Sequence, residues 1–170
     1  MASGLKIYEN PVGVLTNNPP FSYHLLHLCD YLNLSPYEPN ATFSNAELSL
    51  YGSGLGAKGL PGDGSSTSRF VRAAFLKEHA AVFSEESDNV GQFFHLLDSV
   101  YQIDGCNRIS PDTAQRTLYA SCLNATRGVY YYTTYQNRTV SAVYLRRENL
   151  ERKSLCCFEL LSAPVCVAQN

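Results

Sequence analysis

No apolar run in this chain approaches the ~20 residues needed to cross a bilayer as a helix, so a membrane partner is not expected. No excess of basic residues exists either. With Lys and Arg together at 13 against 15 Asp and Glu, the formal charge is −2 and no basic patch stands out. Nucleic acid is therefore a poor partner for it. The start, "MASGLKIYEN", lacks a charged segment followed by an apolar core, so no secretory signal is expected. In that setting the four Asn-x-Ser/Thr triplets, at Asn33, Asn40, Asn124 and Asn137, read as chance. There is no CxxC among the six cysteines. Cys156 and Cys157 are adjacent in an expected strand and so point to opposite faces. Buried free thiols are the expectation rather than a disulfide framework. No Gly-Lys-Ser/Thr and no Gly-x-Ser-x-Gly occurs, which removes the phosphate-loop and nucleophile-elbow signatures.

What is present is globular. The chain has 170 residues, 45% of them hydrophobic, which is one domain of ordinary size or part of a larger one. Leu5 to Ile7 and Val12 to Thr16 read as short strands joined by the turn "YENP". Pro19 and Pro20 open a helix through "FSYHLLHLCDYLNL", with Phe21, Leu25, Leu28 and Leu32 on its apolar face. Residues 35–64 form a long loop rich in Gly, Pro and Asn, of a length that is usually functional or buried against something. "SSTSRFVRAAFLKEHAAVF" is the clearest helix, capped by Ser or Thr, with Phe70, Val71, Ala74, Phe75 and Val82 on its apolar side. "NVGQFFHLLDSVY" is another, with Asp88 as a candidate cap. Thr117–Leu123, Val129–Thr134, Thr139–Leu145 and Leu155–Leu160 read as antiparallel strands. "GVYYYTTY" carries aromatics on both faces. That strand should be covered on both sides, by helices and by a second sheet. The pattern predicts an α+β chain that forms part of a four-layer αββα sandwich.

Several residues invite chemistry. Gly54, Gly56 and Gly59 spell G-x-G-x-x-G. No strand leads into them and Pro61 intervenes before the helix, so a tightly packed loop is the better reading than a cofactor site. His24 and His27 lie three apart, close to Cys29 and Asp30. Zinc needs further ligands that no spacing supplies, so helix-surface or core histidines are the better reading. His79 and His95 are isolated. Asn17 ends an apolar run just before two prolines. A carboxamide there can donate into a cleft without carrying charge, as oxyanion holes require, or it can simply make a turn. Arg69, just inside the second helix, either fixes a positive charge that favours a thiolate or is a solvated arginine.

"YENPVGVLTNNPPFSYHLLHLCDYLNLSP" resembles the choloylglycine hydrolase family, which contains bile salt hydrolases and penicillin V acylases. So do "GLGAKGLPGDGSSTSRFVRAAF", "FFHLLDSV", and "YASCLNATRGVYYYTTY" followed by "AVYLRRENL". The resemblance runs from about Leu5 to about Leu150, and "TNNPPF" is closer to the gut bacterial bile salt hydrolases. It implies an N-terminal-nucleophile αββα fold. There a cysteine exposed as residue one attacks the amide, and its own α-amine serves as base. It implies that Asn17 is the oxyanion-hole asparagine and Arg69 the active-site arginine. The family's nucleophile and its other site residues come from a first half that this chain does not match. The expectation is that residues 1–170 are the C-terminal half of one domain, with Met1-Ala2-Ser3 a start at an internal position. The chain alone would then be inactive. Its substrate would be a conjugated bile salt and its partner the missing N-terminal half, in a cytoplasmic homotetramer without a cofactor. A penicillin V acylase fragment and a non-catalytic truncated protein are the alternatives.

Overall fold

The structure is a computed structural model and describes residues 7–170. The chain divides into two compact units, residues 1–80 and 81–170. The strand expected at Leu5–Ile7 lies largely outside the described residues.

In the first unit, Val12–Thr16 does not form a strand. Its composition suits a strand, but a strand needs a neighbour to bond, and among the described residues none pairs with it. The Asn10 side chain instead accepts from Gly13 N at 2.9 Å and donates to Val14 O at 3.0 Å. Gly13 closes that turn at φ 68°, a conformation suited to glycine. The Asn18–Pro19 bond is cis. Helix α1 follows, Phe21–His27, and tightens into a 3₁₀ turn over Leu28–Tyr31. Its buried side matches the expected one only in part. Phe21 and His24 are buried, whereas Leu25 and Leu32 are exposed. Counting only apolar residues set the helical phase one position off.

Helix α2, Ser66–His79, begins where Ser65 accepts from Ser68 N at 3.3 Å, an N-cap of the expected kind. It buries Phe70 and Val71. It stops four residues before the expected end, and Val82 lies outside it, 89% exposed. Ala80 takes an extended conformation, φ −64° and ψ 137°, and ends the helix despite the helix propensity of "HAAVF".

The long loop holds a small hairpin, β1 (Thr42–Phe43) with β2 (Ala46–Glu47), and a 3₁₀ turn at Leu55–Ala57. Glu38 ties it together by accepting from Gly54 N and, at 3.1 Å, from Leu55 N. Ser35 N donates to Gly56 O at 2.9 Å. A Cβ at Gly56 would stand 1.8 Å from the Tyr37 carbonyl oxygen and 2.7 Å from that of Ser35. Backbone cannot swing aside as a side chain can. Gly56→Ala is therefore expected to destabilise the protein by about 1–3 kcal/mol in thermal unfolding. Gly52→Ala, where a Cβ meets nothing within 4 Å, should be silent. Equal midpoints for the two variants would contradict the close approach.

In the second unit, α3 (Glu86–Asp98) starts three residues earlier than expected. Asp88 sits within its first turn, where a negative charge suits the helix dipole, and is not the cap. The carboxamide of Asn89 braces the entry, accepting from Phe83 N at 2.9 Å and donating to Phe83 O at 2.7 Å. A hairpin that the sequence reading did not anticipate follows, β3 (Asn107–Ser110) with β4 (Thr113–Gln115). Then comes an antiparallel sheet of β5 (Tyr119–Asn124), β6 (Val129–Thr134) and β7 (Ser141–Tyr144), in that order.

Val90 and Phe94 of α3 pack with Ala120 of β5 to form the core, flanked by Cys122 and Tyr131. The opposite face is only partly covered. There Leu161 N donates to the Tyr132 hydroxyl at 3.3 Å, and Thr134 Oγ1 donates to Leu161 O at 3.2 Å. Leu123 and Tyr130 remain exposed, so no second sheet covers β6 within this unit. Leu155–Leu160 is not a strand, again because no backbone ladder meets it among the described residues.

The thiols are free, as expected, but not buried. Cys122 is half-buried and the other five are exposed: Cys29 in the 3₁₀ turn, Cys106 in a turn, and Cys156, Cys157 and Cys166 in the irregular C-terminal segment. Asn137 is buried and accepts from Thr139 N at 2.9 Å, a turn role that uses its carboxamide.

Candidate active site

The two residues singled out by sequence meet. Arg69 Nη2 donates to Asn17 Oδ1 at 3.1 Å, across 52 positions of sequence, within the first unit. The guanidinium has donors only. Whichever carboxamide atom faces it must be the oxygen, so the Nδ2 amine of Asn17 is left to donate elsewhere. Asn17 is exposed, and its two N–H bonds are therefore available to a ligand.

Each partner is fixed from behind. Arg69 Nε donates to Gly64 O at 3.3 Å. Burial, and then the neighbouring Arg72 charge, lower the Arg69 pKa from its ordinary value. The guanidinium stays charged, because that ordinary value lies far above neutrality. Asn18 N donates to Ser66 Oγ at 3.3 Å, which pins the turn to the first residue of α2. The turn ends at Pro20, whose carbonyl accepts from Tyr23 N at 2.9 Å as α1 begins.

Below α2, Asp63 organises the loop end. It accepts from Ser65 N at 2.8 Å and from Ser68 Oγ at 2.5 Å. The Ser65 and Ser68 bonds hold its carboxyl down at about 2. Arg72 Nη1 donates to Pro61 O at 2.6 Å and to Asp63 O at 3.1 Å. The sequence reading did not single out this clasp. Its signal was a Ser/Thr cluster next to an Asp at a helix start.

His24 was read as a helix-surface or core histidine, and it is a core one. It is fully buried, its Nε2 lies 3.0 Å from Thr16 Oγ1, and its ring stacks on Phe70 at 4.5 Å. His27 is half-buried, while His79 and His95 are exposed. Among the described residues no group of three or more His, Cys, Asp or Glu could hold a metal ion. Gly54, Gly56 and Gly59 lie on and beside the 3₁₀ turn, with neither a strand directly before them nor a helix directly after.

The family model for linear amide C–N hydrolases of the choloylglycine hydrolase family matches residues 1–158. The chain belongs to the choloylglycine hydrolase family. It is 46% identical over 168 residues to a bile salt hydrolase/transferase of Lactiplantibacillus plantarum, covering 98% of this chain and 52% of the relative. A bile salt hydrolase/transferase of Clostridium perfringens is 36% identical over 148 residues, 86% of this chain and 45% of that protein. The chain thus spans about half the length of the curated relatives it matches. Variants of the conjugated bile acid hydrolase from Clostridium perfringens superpose with a TM-score of 0.87 at 31% identity, over 97% of this chain and 50% of theirs. A penicillin V acylase from Agrobacterium tumefaciens gives a TM-score of 0.57 at 16% identity, over 78% of this chain and 36% of that one, which is a likeness of fold. The chain is α+β, and in relatives of this fold it corresponds to about half the molecule. Among its described residues no helix is long and apolar enough to cross a membrane.

Proposed function

We propose that residues 1–170 are the C-terminal half of a single hydrolase domain that cleaves the amide bond between a bile acid and glycine or taurine. In this reading the nucleophile-bearing half supplies an N-terminal thiolate, which attacks the amide carbonyl. Charge then gathers on the carbonyl oxygen. Asn17 Nδ2 donates to that oxyanion, while Arg69 holds the carboxamide in register and adds positive charge beside the thiolate. The intermediate then collapses: the C–N bond breaks, glycine or taurine leaves with a proton passed on by the nucleophile's own α-amine, and a thioester remains, which water hydrolyses to free the bile acid and restore the thiol.

The observation that carries the reading is the Arg69–Asn17 contact at 3.1 Å, which leaves the amide donor outward in a chain of this family. The partly uncovered face of the β5–β7 sheet, with Leu123 and Tyr130 exposed, supports a missing half that packs there. The loop of residues 35–64, with Tyr37, Phe43 and Tyr51 exposed, supports assembly of the complete cytoplasmic enzyme as a homotetramer. Bile salts are favoured over penicillin V because the relatives named for bile salts are the more similar ones.

The test joins the chain to the nucleophile-bearing half of the Clostridium perfringens relative, by fusion or co-expression. Release of glycine or taurine from glycocholate and taurocholate is then followed, with penicillin V in parallel. Hydrolysis of either bile salt in excess of penicillin V is the expected result. Cleavage of penicillin V with no bile salt turnover would overturn the substrate assignment, and no amidase activity at all would overturn the function.

A further inference from the structure

We infer that His24 is a positioning residue for the Asn17–Arg69 pair, its buried ring joining the segment that carries Asn17 to the helix that carries Arg69. On one side its Nε2 meets Thr16 Oγ1 at 3.0 Å, one residue before Asn17. On the other its ring lies on Phe70 with centroids 4.5 Å apart and planes 19° apart, one residue after Arg69. Both His24 and Phe70 are 0% exposed, so neither contact is a surface accident.

Packing alone does not account for an imidazole at this place. Leucine would fill the space without burying polar atoms. Nδ1 of His24 is buried without a well-formed hydrogen bond, with only the carbonyls of Pro19 and Asn18 acting on the ring, and such burial is costly for a polar atom. What the imidazole offers beyond bulk is the Thr16 contact. A threonine hydroxyl both donates and accepts, so the neutral ring can bond it in either tautomer. A doubly protonated ring only donates, so where the neutral Nε2 accepts from Thr16 the hydroxyl must turn to accept. In that tautomer charging His24 reverses the bond and disturbs the residue beside Asn17.

The surroundings favour the neutral ring. Burial lowers its pKa most, and His27 on the same helix lowers it further; the carbonyls of Pro19 and Asn18 oppose both. Among the described residues Tyr23 stands edge-on at 6.4 Å on the same helix, and Arg69 directly precedes the stacked Phe70 in sequence. The pKa lies below the ordinary histidine value, so the ring is neutral at pH 7 and charges only as the pH falls.

The inference rests on the proposed function only for its effect on turnover, and its test has a second readout. The completed two-half enzyme is prepared as wild type, His24→Leu and His24→Gln. A glutamine carboxamide reaches where Nε2 stood and can bond Thr16, but it does not titrate. His24→Leu is expected to lower kcat by up to about a hundredfold with KM little changed, the order of loss that follows a displaced catalytic group. His24→Gln is expected to stay near wild type at pH 7 and to retain kcat at acid pH where wild type loses it.

Independently, the Asn17 side-chain amide resonances in ¹⁵N-labelled protein should shift in His24→Leu, stay in place in His24→Gln, and move with the wild-type His24 titration. If wild type shows no amidase activity, the proposed function fails while the resonances still decide the inference. Asn17 resonances unmoved by His24→Leu overturn it. So does His24→Gln as impaired as His24→Leu, which would mean that only the ring's packing matters. Should His24→Leu fail to fold, the wild-type titration decides. Asn17 resonances that follow His24 protonation support the inference, and resonances that ignore it overturn it.

Discussion

Asn17→Ala in the completed enzyme is expected to lower turnover by about a hundred- to a thousandfold, the usual loss for one oxyanion donor, ~2.7–4 kcal/mol. Substrate binding should change little, because the donor matters most when charge has developed on the oxygen. Asn18→Ala makes the control. It sits in the same turn and carries the same carboxamide, and its link to α2 runs through its backbone N–H to Ser66 Oγ, which alanine keeps. Neither change alters charge. Similar small losses at both positions would mean that Asn17 only ends the segment. Large losses at both would mean that the turn, not the donor, is what matters. Arg69→Lys adds a further arm to the same experiment. Lysine keeps the charge but lacks the fork that reaches both Gly64 O and Asn17 Oδ1. A partial loss is therefore expected.

Asn17 and Arg69 were found in the sequence through long, specific strings rather than through physics. Taken alone, an asparagine before two prolines is a turn residue and an arginine at a helix start is solvated. Their meeting at 3.1 Å depends on how the turn docks on α2, and no local pattern encodes that. Strand β6 was legible to the residue, because alternating aromatics in "VYYYTT" suit a sheet with both faces in use. Val12–Thr16 and Leu155–Leu160 also carry apolar runs that suit a strand, yet neither pairs among the described residues. Whether an apolar run becomes a strand is decided by a partner backbone elsewhere, so that information is not local. The β3–β4 hairpin went unseen for the opposite reason. "NRIS" and "TAQ" are polar and mostly exposed, and a strand that buries little leaves little hydrophobic signal. The phase of α1 was lost at His24, where a polar residue occupies a core position that apolar counting passes over.

The largest stability effect should come from Phe70→Ala. Phe70 is 0% exposed and sits between two rings, with Phe21 edge-on at 6.3 Å and His24 stacked at 4.5 Å. Truncating a buried phenylalanine costs ~3–5 kcal/mol, from lost burial and from the cavity left behind. A typical domain holds only about 5–15 kcal/mol, so much of the margin would go. Phe75, on the same helix, is half-buried and edge-on to the exposed His79 at 4.7 Å, so Phe75→Ala should cost clearly less. Denaturant unfolding of the completed enzyme compares the two. A Phe70 loss no greater than the Phe75 loss would contradict the packing described. A second substitution at this position separates two roles that the core combines. In Phe70→Leu most of the volume stays while the flat surface under His24 goes. If the stack only fills space, Phe70→Leu should keep turnover along with most of its stability. If the stack sets the angle of the ring that reaches Thr16, turnover should fall further than stability does, because the displaced atoms lie one residue from Asn17 on one side and one from Arg69 on the other.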